Sequence, residues 1–274
     1  MIKLDNVSKV YGTGTEALSD ITLEIEKGEL VFLIGETGSG KTTLLKLLIR
    51  DMLPTKGSIT VGEFDVVKLS SSKLPHLRKK IGIVFQDLRM LMDRTVYENI
   101  ALPLEVAGKP LAEVKKRVDE LLLQVGILSH KEKFPIQLSG GELQRAAIAR
   151  ALALSPEIFL ADEPTGNLDE KTAHEIIQVL ADINKNGTTV VVATHDLGIV
   201  KKFAKRLIAL DKGKIAADSK RPTHAEKTED KKEEKAASAH GSSEPKEEKD
   251  TKENEKTEDN KEHEKAEHKA KESK

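Results

Sequence analysis

The sequence predicts an α/β fold whose core is a mostly parallel sheet with helices on both faces. Three observations carry that prediction. Across residues 1–218, short apolar runs alternate with longer segments of helical spacing, the rhythm of strand–helix–strand units. Several of these runs, such as 158–161 and 189–193, are continuous instead of alternating in polarity, which suits strands covered on both faces. The length, 274 residues, holds one large domain with something appended.

In chain order, strands are expected over 2–7, 21–25, 30–34, 58–61, 81–85, 158–161, 189–193 and 206–210. Helices are expected over 41–50, 111–125, 140–154, 170–186 and 197–203. Leu111, Val114, Val118, Leu121, Leu122 and Val125 fall on one face at helical spacing. The stretch 87–137 interrupts the alternation: it has helical patterns and Pro103, Pro110 and Pro135, but no strand-like run. It reads as a helical insertion into the core. A composition break falls near Ser219, beyond which Lys and Glu dominate and no Val, Ile, Leu, Met or Phe occurs. Such a segment cannot offset its chain entropy by burial, so 219–274 is expected to be a disordered tail. Its mixed charge argues against a polybasic membrane tether. His224, His240, His263 and His268 are irregularly spaced, which disfavours a metal site there.

Composition narrows the function classes. The formal net charge of −1 does not mark a nucleic-acid binder. The absence of Cys excludes disulfides and thiolate metal sites and fits a reducing compartment. No apolar run approaches the roughly 18–20 residues a membrane span needs, and the charged first ten residues do not resemble a signal peptide. A cytoplasmic protein is expected, one that reaches a membrane only through a partner.

The chemistry begins at residues 30–34, which lead into Gly35-Glu36-Thr37-Gly38-Ser39-Gly40-Lys41-Thr42 and then Thr43 at the start of an apolar helix. G-x-x-x-x-G-K-[ST] between a strand and a helix is a phosphate-binding loop. Glycine conformations let successive N–H groups face phosphate oxygens, and the helix N-terminus adds positive charge. Lys41 would reach the β- and γ-phosphates, and the Thr42 hydroxyl would ligate Mg²⁺.

Residues 158–161 end in Asp162-Glu163. Two carboxylates at the end of a core strand fit Mg²⁺ ligation by Asp162 and activation of an attacking water by Glu163. The strand over 189–193 ends in Thr194-His195-Asp196. Parallel strands deliver their C-terminal ends to one sheet edge, so His195 is expected at the γ-phosphate. Gln86, after the strand over 81–85, reaches the same edge as a γ-phosphate or Mg²⁺ sensor. Leu138-Ser139-Gly140-Gly141-Glu142 opens another helix. Ser139 and Glu142 form a capping box, but each glycine weakens a helix by roughly 1 kcal/mol relative to Ala. The pair makes sense where the backbone must approach something closely, and it supplies a second anion site.

The ordered set of the 35–42 loop, Gln86, residues 138–142, Asp162-Glu163, Gly166-Asn167-Leu168-Asp169 and His195 resembles the ABC ATPase family over about residues 1–218. The resemblance implies a P-loop NTPase core with N-terminal antiparallel β elements, ATP and Mg²⁺ as ligands, and a head-to-tail homodimer. One chain's phosphate loop would then face the partner's Ser139, Gly140, Gly141 and Glu142. It further implies that Tyr11 stacks on adenine and that Asp169 couples the two sites. The run Phe85-Gln86-Asp87-Leu88-Arg89-Met90-Leu91-Met92-Asp93-Arg94-Thr95-Val96-Tyr97-Glu98-Asn99 is similar to the cell-division branch of the family. That likeness implies an integral membrane partner and an output on cell-wall hydrolysis. Residues 161–169 are shared with branches that release lipoproteins or export macrolides, so a transporter ATPase stays open as an alternative. A soluble ABC protein acting on nucleic acid or ribosomes is a second one, disfavoured by the lack of a tandem cassette or long coiled coil.

Overall fold

A computed structural model describes residues 1–203 and 205–220. The expected tail, beyond its first two residues, lies outside the described residues, as do its four histidines.

Two sheets form the body. The core sheet contains β3 (Leu30–Ile34), β6 (Ile81–Val84), β7 (Ile158–Asp162), β8 (Thr189–Thr194), β9 (Arg206–Asp211) and β10 (Lys214–Asp218), in the order β10-β9-β3-β8-β7-β6. All its pairings are parallel except the terminal β9–β10 hairpin. Every residue of β7 and β8 is buried, which is why their sequences read as unbroken apolar runs. Side chains still alternate: Phe32 and Phe159 enter one core cluster, Val31 and Leu160 the other.

The second sheet is antiparallel, as expected for the N-terminal elements, in the order β2-β1-β4-β5. It comprises β1 (Ile2–Val10), β2 (Glu16–Ile25), β4 (Lys56–Val61) and β5 (Phe64–Asp65). Both β1 and β2 run further toward their hairpin than the apolar pattern suggests. Polar residues and register shifts occupy that end, and Asp20 N donates to Ser8 Oγ at 2.9 Å. The pattern also hides β5, only two residues long, and β10, a five-residue edge strand with Ile215 as its one large apolar side chain.

The helices are α1 (Lys41–Leu48), α2 (Leu74–Lys79), α3 (Val96–Val106), α4 (Leu111–Gln124), α5 (Gly140–Leu152), α6 (Glu170–Lys185) and α7 (Leu197–Phe203). The insertion expected over 87–137 carries α3 and α4 and, among the described residues, no strand. A Thr95–Glu98 capping box starts α3, which accommodates Pro103. The apolar face of α4 is buried at Val114, Val118, Leu121 and Leu122, whereas Leu111 is exposed. It opens the helix directly after the N-cap Pro110, one turn before the first buried position. Among the described residues no helix is long and apolar enough to cross a membrane.

Candidate active site

Adjacent parallel strands bring β3, β7 and β8 to one edge, and the residues that follow them converge there. After β3 the chain turns at Gly40, the α1 N-cap, with φ +106°. A β-carbon at Gly40 would stand 2.6 Å from Ala17 O and 2.7 Å from Leu18 Cδ2, so only glycine fits this turn. Lys41 opens α1, and its ammonium donates to Gly35 O at 2.6 Å and Glu36 O at 3.0 Å. It also pairs with Glu163 Oε1 at 3.4 Å. Ser39 Oγ is buried without a hydrogen-bond partner, an unmet demand pointing to a ligand in the loop.

Asp162 ends β7, and its Oδ1 accepts from Thr42 Oγ1 at 3.1 Å. Burial pushes the Asp162 carboxyl above its usual range, with the Thr42 hydrogen bond opposing and the Glu163 charge adding. A cation beside it would reverse that demand. Among the described residues no three His, Asp or Glu are grouped to chelate a metal. The buried Asp162 carboxylate and the Thr42 hydroxyl bonded to it fit Mg²⁺, which is commonly held by one or two protein oxygens together with substrate phosphates.

Glu163 takes a left-handed backbone, φ +48°, and its N–H donates to Ala193 O of β8 at 2.9 Å. A non-glycine residue in that region costs about 1–3 kcal/mol and is held there by its surroundings. Its Oε2 lies 2.9 Å from His195 Nδ1 and also accepts from His195 N at 3.3 Å. His195 itself is 57% exposed. These groups open on a cleft of about 340 Å³ lined by Tyr11, Lys41, Gln86, Glu163, Asn167 and His195, with Thr37, Gly38, Gly40, Thr42 and Thr43 at its floor. Gly35, Glu36 and Thr37 line an adjoining apolar hollow with Leu197. Tyr11 is anchored by its hydroxyl, 3.0 Å from Thr43 Oγ1.

The Lys41–Glu163 ion pair and the lining by Thr15, Glu16 and Ala17 carry no sequence signal. Both depend on pairing between segments remote in the chain. Ser139, Gly140, Gly141 and Glu142 do not line this cleft. They open α5 through the expected capping box: Ser139 N donates to Glu142 Oε2 at 2.8 Å and Glu142 N to Ser139 Oγ at 3.4 Å. The Ser139 amide and hydroxyl hold the Glu142 carboxyl below its usual range. Asp169 caps α6, taking the Thr172 amide at 3.0 Å and hydroxyl at 2.5 Å.

A family model described as ABC transporter matches residues 18–166. The chain belongs to the ABC ATPase family. It is accordingly an ATPase, with a fold shared by solved ABC cassettes. The cell division ATP-binding protein FtsE of Mycobacterium tuberculosis is 47% identical over 222 residues, covering 81% of this chain and 96% of that protein. FtsE of Bacillus subtilis is 44% identical over 221 residues, covering 81% and 97%. A dimeric post-hydrolysis structure of the ATP-binding cassette MJ0796, bound to ADP and Pi, aligns with a TM-score of 0.74 at 38% identity. That alignment covers 80% of this chain and 98% of the cassette.

Proposed function

We propose that this ABC ATPase hydrolyses Mg²⁺-ATP as a head-to-tail homodimer and drives an integral membrane partner resembling FtsX, at the cytoplasmic face of the plasma membrane, in a complex that regulates cell-wall hydrolysis during division. The observation that carries the chemistry is the convergence of Lys41, Asp162, Glu163 and His195 on one cleft. Lys41, Ser39 and the 35–40 amides receive the phosphates. Asp162 and Thr42, with Gln86, would hold Mg²⁺, which would supply charge neutralisation on the phosphate oxygens. Glu163 accepts the proton of the attacking water as the bond between the γ-phosphorus and its bridging oxygen breaks. His195 orients Glu163 through the 2.9 Å hydrogen bond. Tyr11 receives the adenine.

The homodimer is supported by the exposed Ser139–Gly140 helix start lying away from the cleft and by the dimeric cassette relative. The exposed Leu91 and Met92 in the loop after Gln86 supply an apolar grip for a membrane partner. The names of the FtsE relatives favour the division branch over the transporter alternative. Glu163→Gln should slow hydrolysis by roughly 10²–10⁴-fold while ATP binding stays intact. Phosphate release and nucleotide titration test this together, and unimpaired turnover would remove Glu163 as the base.

A further inference from the structure

Among the described residues Gln86 makes no hydrogen bond, and it stands on a loop between β6 and the insertion. What holds that loop is a turn of two consecutive left-handed residues, Leu88 at φ +54° and Arg89 at φ +50°. Both carry a β-carbon, for which this conformation is unfavourable. Successive residues of this kind form one left-handed turn, so their carbonyls point the same way. Both carbonyls meet one guanidinium: Arg150 of α5 donates from Nη2 to Leu88 O at 2.5 Å and from Nη1 to Arg89 O at 2.6 Å. Among the described residues the Arg150 guanidinium has no other acceptor. Partial burial lowers its pKa, and these two carbonyls replace part of the water the guanidinium gives up.

The turn in turn brackets Gln86. On one side, the Arg89 guanidinium lies 3.7 Å from the centroid of the Phe85 ring, and Leu88 N donates to Phe85 O at 2.9 Å. On the other, Arg89 N donates to Asp87 O at 2.6 Å, and the Arg89 and Asp87 side chains pair at 3.4 Å. Both neighbours of Gln86 are thus tied to a turn whose outward-facing carbonyls are clamped by α5.

We propose that Arg150 is a positioning residue for hydrolysis: its fork holds the Leu88–Arg89 turn, and the turn sets where Gln86 stands in the cleft. This rests on the reading of Gln86 as a group of the hydrolytic site. Lysine cannot span two carbonyls with a planar fork.

The test is a double-mutant cycle on the full chain. Arg150→Lys should lower kcat about tenfold, the scale of one lost charge-assisted hydrogen bond, with KM for ATP and nucleotide affinity within about twofold of the parent. Gln86→Ala should lower kcat as well, and the double variant should be no slower than Gln86→Ala alone. Losses that multiply would overturn the proposal, because a structural lesion adds to any other. Arg89 is half exposed, so a second pair keeps the test open if Arg150→Lys does not fold. Arg89→Val, which resists positive φ, should slow turnover several-fold more than Arg89→Gly, which favours it. Equal effects of the two would also overturn it. Glu163→Gln, run alongside, separates the outcomes. An active Glu163→Gln sinks the hydrolytic reading itself, whereas an inactive one with a multiplicative cycle sinks only the role of Arg150.

Discussion

At the scale of single residues, the cleft is held together by contacts that also define each group's task. Lys41 and His195 both touch the Glu163 carboxylate, one at each oxygen, so its orientation is set from two sides before any substrate arrives. Tyr11 illustrates how a ring and its hydroxyl separate. The hydroxyl is bound to Thr43 and Met52, so in the proposed function it is the ring, with Lys9 Nζ 5.8 Å from its centroid, that would meet a base. Tyr11→Phe should therefore keep KM for ATP within about twofold, while Tyr11→Ala should raise it about tenfold, the usual scale of one base–aromatic stack. Steady-state kinetics of the two variants decides between ring and hydroxyl. Asp162 shows the complementary case: a carboxylate 3% exposed whose pKa burial has raised. Burial disfavours its charged form, and a cation beside it would bring the pKa down again.

At the scale of elements, the start of α5 gives an unexpected reason for one of its glycines. The pattern of residues 138–142 suggests a backbone left bare for a ligand, and Gly140 is exposed. Gly141, however, is buried, and a β-carbon there would overlap Thr172 Cγ2 of α6. Thr172 cannot easily swing away, because its hydroxyl and amide are both bound by the Asp169 cap. Gly141→Ala should thus destabilise the fold by about 1–3 kcal/mol, as overpacking does. Thr172→Ser, which removes the methyl and keeps the hydroxyl, should recover most of that loss in the double variant. Denaturant melts of the four proteins check it, and simple additivity would show that the contact is not the cause. The missing β-carbon thus belongs to α5–α6 packing, a relation no single-helix pattern reports.

At the scale of the whole molecule, one chain presents an open cleft on one edge and a capped, exposed helix start elsewhere. The proposal that the second completes the first in another copy has a direct consequence. With ATP and Mg²⁺, Glu163→Gln should accumulate as a dimer, since it binds without turning over. Adding Ser139→Arg to that variant should leave it monomeric, because a long cation would occupy the space meant for phosphate. Light scattering during size-exclusion chromatography reads both, and a dimer that survives Ser139→Arg would place the interface elsewhere.

The sequence by itself determined the α/β class, the phosphate loop and the identity of the groups at the strand ends. Those features are local: a strand buried on both faces must be continuously apolar, and a phosphate loop must be glycine-rich at set spacing. The tertiary structure alone decided which groups meet. That Glu163 joins Lys41 and His195, that Gly141 makes room for Thr172, and that Arg150 clamps the turn beside Gln86 are pairings across 31 to 122 positions of chain. Strand order and helix packing set these distances, and neither leaves a mark in local periodicity. The same reason explains the strands that went unread: β5 and β10 are strands because a partner strand lies beside them, their own residues carrying little preference.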